Sequence, residues 1–262
     1  MHKKHSNRNA LFQAGLATVL ITLLPASTAQ AAGDTCVAGA EPLLSVADFS
    51  GDGLVNNRDL ALLGRVIQNN HYIAFYDRNT DGHINARDLD LANQDLGKAS
   101  SDMDRDIAGV YWGTTSYRNL GQAALDGYEP ATQVVAGHGR HWTQARLFRE
   151  ATYPDNPKLN TPAGLNYDED GVLQAVFWGQ PTAYPTGSLP PPRIFSQSQT
   201  WHGHNQACVT NYGLIENVKY SENVDPAQCE SSGGESDTFY MLHLWLYRLN
   251  PNGAFAMTHP CA

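Results

Sequence analysis

Asp48-Phe49-Ser50-Gly51-Asp52-Gly53-Leu54-Val55-Asn56-Asn57-Arg58-Asp59 is followed, 29 residues on, by Asp77-Arg78-Asn79-Thr80-Asp81-Gly82-His83-Ile84-Asn85-Ala86-Arg87-Asp88. Aligned, the two stretches share Asp at positions 1, 5 and 12, Gly at 6, an aliphatic at 8, Asn at 9 and Arg at 11. Position 3 bears oxygen in both, as Ser50 and Asn79. Oxygen donors at this spacing on a winding loop converge on a hard divalent cation, and calcium takes about six to eight of them. The expected ligands are Asp48, Ser50, Asp52, the Leu54 carbonyl, Asn56 and Asp59 in the first loop. In the second they are Asp77, Asn79, Asp81, the His83 carbonyl, Asn85 and Asp88. Gly53 and Gly82 permit the sharp turn that a side chain would resist.

Each loop runs into an amphipathic stretch, 59–67 and 88–96, with apolar residues at helical spacing and Gly97 as a stop. Val55 and Ile84 are expected to pair across the loops and bury an apolar centre. Crowded carboxylates repel without a cation, so folding of this part is expected to depend on calcium.

The arrangement, residues 43–98, resembles dockerin modules, the paired EF-hand-like units of cellulosomal and other extracellular proteins, which use Asp at position 12 as here. The resemblance implies a small all-α pair with two Ca2+ sites. It also implies docking onto a cohesin-like protein, often to hold carbohydrate-active enzymes on a scaffold. Positions 10 and 11, small hydroxyl pairs in many cohesin-binding members, are Asn57-Arg58 and Ala86-Arg87 here. An intramolecular partner domain is the other expected occupant of the module's surface.

The rest of the composition sets the context. The chain has 262 residues, 42% hydrophobic and 16% charged, which suits globular folding and excludes a disordered or collagen-like chain. Net charge is −9, and removing Lys3, Lys4 and Arg8 with the leader leaves 14 basic residues against 26 acidic ones. That balance excludes a nucleic-acid binder. Residues 1–31 read as a secretory signal peptide. Its basic start precedes an apolar run over 11–24, and Ala29-Gln30-Ala31 precedes the cleavage point. The expected location is secreted or periplasmic, with no membrane attachment after cleavage. Cys36, Cys208, Cys229 and Cys261 all follow the cleavage point, and an even number in an oxidising compartment suits disulfides. Cys36–Cys261 would tie the mature termini and Cys208–Cys229 would close a polar loop. Cys208 as a thiolate ligand is the competing reading.

Residues 98–106 are polar and read as a linker. Residues 107–262 hold all five tryptophans, and Gly and Pro punctuate short apolar runs. The pattern predicts a mainly-β domain, an antiparallel barrel or sandwich. Strands are expected at 131–136, 172–179, 193–198 and 239–248, with a helix near 143–150. On the last strand Leu242 and Leu244 face the core, while Met241, His243 and Trp245 face the other way. Histidines gather at His138 and His141, at His202 and His204, and at His243. Two imidazoles two residues apart on a strand share a face, a common way to hold zinc or copper. These five are the expected metal ligands. His71 and His259 read as bystanders, and residues 168–170 as a solvated turn.

Residues 130–262 also resemble exported bacterial proteins of no established activity. These carry a Gly-x-Gly-x-His-Trp element, here 137–142, a middle strand at 172–179, a Leu-His-Leu-Trp-Leu strand at 242–246, and Asn-Pro-x-Gly-x-Phe at 250–255. That likeness implies one site shared by His141 and His243. The expected function is an exported calcium-binding protein whose β domain binds a transition metal or small ligand through histidines. The alternative is a metal-dependent or carbohydrate-active enzyme of polysaccharide breakdown, tethered by its dockerin-like module. A nucleophile elbow, a His-Glu-x-x-His and a phosphate loop are all absent from the sequence. A third reading is an aromatic-rich glycan-binding surface.

Overall fold

A computed structural model of the chain describes residues 36–144, 146–147, 159–181, 194–196, 201–210, 219–221, 225–231 and 234–262. The leader lies outside them.

The paired loops feed two helices, α1 (Asn57–Asn69) and α2 (Ala86–Gln94). Both begin at the position-9 asparagine, which serves as N-cap. Asn56 accepts from the Arg58 N–H and Asn85 from the Arg87 N–H, both at 2.8 Å. Asp59 and Asp88, three residues on, accept from the cap residue's own N–H and complete a capping box in each case. A third helix, α3 (Asp102–Thr114), follows where the polar composition suggested a linker. Ser101 caps it with Asp104 as the reciprocal partner, and Asp104 also takes two 2.6 Å bonds from the N–H and hydroxyl of Ser45. Burial raises the pKa of Asp104, but these donors outweigh it and hold the carboxyl below its ordinary value.

Beyond α3 and a short α4 (Leu120–Leu125) comes one sheet. Its strands are β1 (Glu129–Pro130), β2 (Arg140–Thr143), β3 (Gly164–Tyr167), β4 (Leu173–Pro181), β5 (His202–Thr210), β6 (Lys219–Ser221) and β7 (Gly234–Leu244). The helix α5 (Pro226–Ser231) precedes β7. Among the described residues the order is β1-β2-β3-β4-β7-β5-β6, every neighbouring pair antiparallel. The expected antiparallel β character holds, but the barrel or sandwich does not: the sheet is open, with β1 and β6 at its edges. A helical layer on one face and the C-terminal segment on the other supply the cover that closure would have given. Residues 131–136 are turn rather than strand, tied by a single bridge from Val135 to Gly139. Residues 194–196 form a bend, and the remainder of 193–198 and half of 143–150 lie outside the described residues.

The two faces of the sheet bury different things. Leu165, Val176, Trp178, Leu242 and Leu244 point into one core shared with Phe49, Phe75, Tyr76, Ile107 and Tyr111. Phe75 stacks on Tyr111 at 4.1 Å, and Trp112 Nε1 donates to the Phe49 carbonyl at 2.8 Å. Thr114 Oγ1 meets the Tyr247 hydroxyl at 2.9 Å. The helical region and the sheet are therefore packed together through α3. The opposite face carries His141, Ala175, Phe177, Met241, His243 and Trp245, all buried.

Candidate functional site

In the first loop Asp48 and in the second Asp77 sit at position 1, fully or almost fully buried, as do Asp59 and Asp88 at position 12. Asp48 Oδ1 accepts from the N–H groups of Gly51 (2.9 Å) and Asp52 (3.2 Å) and from the Ser50 hydroxyl (3.3 Å). Its other oxygen accepts from Gly53 N–H at 2.9 Å and the Ser100 hydroxyl at 2.6 Å. Asp59 bonds Ser50 N–H at 2.7 Å across the loop, and Asp88 bonds Arg78 N–H at 2.8 Å in the same way. The position-5 acids, Asp52 and Asp81, turn to the exposed side and accept from the N–H groups of Leu54 and His83. Gly53 and Gly82 adopt φ of +100° and +79°, as the turn requires. Position 4 needs the left-handed region too. Gly51 takes it in the first loop, and Thr80 in the second with φ +54°.

The residues fit a cation. Asp77 Oδ2 accepts from Gly82 N–H at 2.9 Å, while its Oδ1 is buried with no hydrogen-bond partner, as a metal-facing oxygen would be. Burial, then the nearby charge of Asp88, pushes the Asp77 carboxyl up from 3.8 to about 6. Asp88 is also raised, by burial. Asn56 and Asn85 spend their side-chain oxygens on capping, so any part they take in cation binding runs beside that role.

The expected cross-loop pairing is replaced. Val55 N–H donates to the Lys98 carbonyl and its carbonyl accepts from Gly97 N–H, both at 2.9 Å. Val55 is buried, and Ile84 packs on the same core half-buried. The chain returning from α2 takes the place that the second loop was expected to fill. Arg78 braces this end, pairing with Asp95 at 3.0 Å and reaching the carbonyls of Leu44 and Ser45.

On the sheet the register assembles the histidines. Phe177 opposes His243 and His202 opposes Met241, while His141 opposes Asn166, which opposes Ala175. Cross-strand partners share a face, so His141, His202 and His243 do as well. His138 joins from the tight turn before β2. There Gly139, φ +70°, comes so near the Tyr167 carbonyl that a Cβ would stand 2.3 Å from it. The ring centroids are 5.7 Å apart for His138–His141, 5.6 Å for His138–His243 and 5.8 Å for His141–His243. His202 lies 5.1 Å from His243. His204 opposes Phe239 in the register, and its side chain lies outside the described residues. Phe177 presses edge-on against His141 and His243, its ring lying where a Cβ on Gly164 would be.

The C-terminal segment seals this face. Trp245 Nε1 donates to the Ala256 carbonyl, His259 N–H donates to the Gly137 carbonyl and Gly137 N–H to the Ala262 carbonyl. A disulfide joins Cys36 to Cys261, as expected, and Cys229 is disulfide-bonded too. The side chain of Cys208 lies outside the described residues. Among those residues, one trio gathers its ligand atoms within 4.8 Å of one another: Cys36, His259 and Cys261. It is no metal centre, because both sulfurs are in the disulfide. His259 is likewise spent, its Nε2 at 2.9 Å from the Leu249 carbonyl and its Nδ1 accepting from Cys261 N–H at 3.0 Å. The nitrogens of His138, His141 and His243 do not meet that 4.8 Å limit as the rings stand.

Two further residues of the histidine face escaped the sequence reading, Asn166 and Phe177. The visible signal for the first was a polar amide at an inward position of the run Gly164-Leu165-Asn166-Tyr167. The acids at 168–170 form the turn between β3 and β4, with Asp168 accepting from the N–H groups of Asp170 and Val172.

No curated protein and no solved structure matches the chain, so the likeness of residues 130–262 to other exported proteins gains no support. Residues 46–97, which hold both loops and both of their helices, match the Dockerin type I domain, and this segment of the chain is dockerin-like.

Proposed function

We propose that this is an exported protein whose dockerin module, folded around two calcium ions, tethers the sheet domain to a cohesin-bearing partner. The observation that carries it is the dockerin match over loops whose acids at positions 1 and 12 are buried, with Asp77 Oδ1 unpartnered. Dockerin modules bind calcium and cohesins, and the proteins that carry them are typically extracellular. No helix among the described residues is long and apolar enough to cross a membrane. Asn57, Arg58, Ala86 and Arg87, at loop positions 10 and 11, are all exposed at helix N-termini where a partner can reach them. The test is capture of the calcium-loaded protein on immobilised cohesin domains. Binding lost on chelation and on Arg58→Asp with Arg87→Asp supports the tether. No capture by any cohesin leaves α3, already packed on the first loop through Trp112, as an intramolecular occupant.

A second reading concerns the sheet: the histidine face holds a zinc or copper ion. Three centroids 5.6–5.8 Å apart have a common centre about 3.3 Å from each. A metal–nitrogen bond of about 2.0–2.1 Å plus about 1.2 Å from nitrogen to ring centre gives nearly the same reach. Rotation of the rings would aim a nitrogen from each at that centre. Metal analysis of the calcium-loaded protein, set against His141→Ala and His243→Ala, tests it. A transition metal that binds equally well to all three removes the reading, as does none binding to any.

A further inference from the structure

Asn166 lies at the middle of β3, fully buried, on the face that carries the histidines. Its neighbours across the strands are His141 and Ala175. The roots of His141 and His243 are separated by β3 and β4, three strand spacings of about 4.8 Å each. Their rings nevertheless come to 5.8 Å. They must therefore lean toward each other over the two strands between them, where Asn166, Ala175 and Gly164 supply the floor. Ala175 is small, which makes room for the rings, while the space over Gly164 is taken by Phe177. Asn166 is the polar group in that floor.

The two ends of the Asn166 amide have different fates. Nδ2 donates to the His138 carbonyl at 2.9 Å, which fixes the amide's orientation, since a carboxamide oxygen turned toward that carbonyl would be repelled. Oδ1 is then left buried with no hydrogen-bond partner. A buried amide oxygen without a protein donor is costly, and in a native structure it is met by a water, an ion or a functional role.

We infer that Asn166 is the oxygen donor of the histidine site, its Oδ1 completing the shell of a divalent transition-metal ion held by His138, His141 and His243, directly or through a metal-bound water. The proposal rests on the metal reading given above. It adds a donor of a different element and makes the shell three nitrogens and one oxygen, a set suited to borderline ions of the zinc class. The same residue positions His138 through its Nδ2, so one side chain both shapes and completes the site.

The test uses the mature, calcium-loaded chain and Co2+ as the probe, because Co2+ reports its ligands in the visible spectrum and by X-ray absorption. Wild type should bind one Co2+ with a shell of three imidazoles and at least one oxygen. Asn166→Leu should weaken binding about 10- to 100-fold and change the visible bands. Asn166→Asp, which restores an oxygen but not the bond to His138, should recover part of the affinity. Melting curves with calcium present establish that each variant is folded, and the wild-type X-ray absorption stands whether or not a variant folds. Absence of Co2+ binding to wild type overturns the metal reading and this inference together. Co2+ bound by wild type through imidazoles, with affinity and spectrum unchanged in Asn166→Leu, overturns the inference alone.

Discussion

Removing calcium should loosen the sheet as well as the module that binds the ion. The connection is physical and short. Loss of order at the loops releases Phe49, Phe75 and Tyr76 from the core they share with α3 and the sheet. Three identified contacts to α3 go with them: Phe75 stacked on Tyr111 at 4.1 Å, Tyr76 edge-on to Tyr111 at 5.6 Å, and Trp112 bonded to the Phe49 carbonyl at 2.8 Å. Aromatic pairs contribute about 0.5–1.5 kcal/mol each and such a hydrogen bond about 1 kcal/mol. The unit of α3 and the sheet packed on it therefore stands to lose about 3 kcal/mol. For a chain of this size that corresponds to a fall in its melting temperature of roughly 6–12 °C. The module itself loses more, about 4 kcal/mol for each ion present at a thousand times its dissociation constant.

The assay is a thermal melt followed by tryptophan fluorescence, in calcium and in chelator. Trp178 and Trp245 are buried in the sheet region, and a Trp112→Phe control, which also removes the bond to Phe49 and with it about 1 kcal/mol of the coupling, identifies the part of the signal that comes from α3. Far-ultraviolet circular dichroism follows the helices in the same sample. A helix signal that collapses in chelator while the tryptophan transition moves by less than about 2 °C would refute the coupling.

Acid should weaken calcium binding at the second loop. In the cation-free protein the Asp77 carboxyl is raised to about 6 from its ordinary 3.8, by burial first and then by Asp88. The folded protein thus holds that proton more tightly than the unfolded chain. Cation-free stability from this group is greatest below about pH 4 and declines as pH rises through 6. Calcium must displace the proton, so apparent affinity should drop about tenfold between pH 7 and pH 5, read by titration calorimetry; a flat profile refutes it. Gly164→Ala places a Cβ 1.9 Å from the Phe177 ring and should cost about 2–3 kcal/mol in a denaturant melt. Cys261→Ser opens a disulfide that spans 225 residues and should destabilise the chain by about 2–5 kcal/mol under oxidising conditions, with the 137–139 turn gaining hydrogen exchange. Thr80→Asn should leave calcium binding intact and raise stability slightly, because Asn tolerates the φ of +54° better than a β-branched residue.

The loops were legible because their chemistry is local. Twelve residues carry the carboxylates, the turn glycine and the N-cap, and no distant partner is needed to place them. What lay around the loops was not legible in the same way. Val55 had two possible backbone partners, Ile84 and the 97–98 segment, and only packing chooses between them. The α3 start was written locally, as Ser101 and Asp104 three residues apart, but a run of charged residues hid it behind a linker-like composition. The sheet was legible where alternation was strong, as in β7. It was not in β5, where the run His-Gly-His-Asn-Gln-Ala-Cys-Val-Thr at 202–210 is too polar and glycine-broken to advertise a strand. Closure against openness depends on edges and covering layers, which composition does not encode. The histidine clusters could be seen in the sequence, but their convergence is a matter of register: a slip of one residue in β2 or β7 would turn His141 or His243 to the opposite face.

The packing changes what the proposed tethering would mean for this chain. A module on a flexible linker lets its cargo sweep a volume set by linker length. Here the segment between module and sheet is the capped helix α3, fixed to the module by Ser45 on Asp104 near its start and Phe49 on Trp112 near its end, and to the sheet by Thr114 on Tyr247. A cohesin that grips the exposed N-termini of α1 and α2 would hold the sheet in a set orientation. Inserting a flexible Gly/Ser segment between Gly97 and Ser101 should therefore do more than lengthen the reach. It would separate the backbone bond of Val55 to Lys98 from the helix that follows, and leave the two melts described above coupled only through the contacts of Phe49, Phe75 and Tyr76 with α3. If calcium still moves the tryptophan transition by the full 6–12 °C after such an insertion, the coupling runs through side-chain packing alone and the covalent path from α2 to α3 is dispensable.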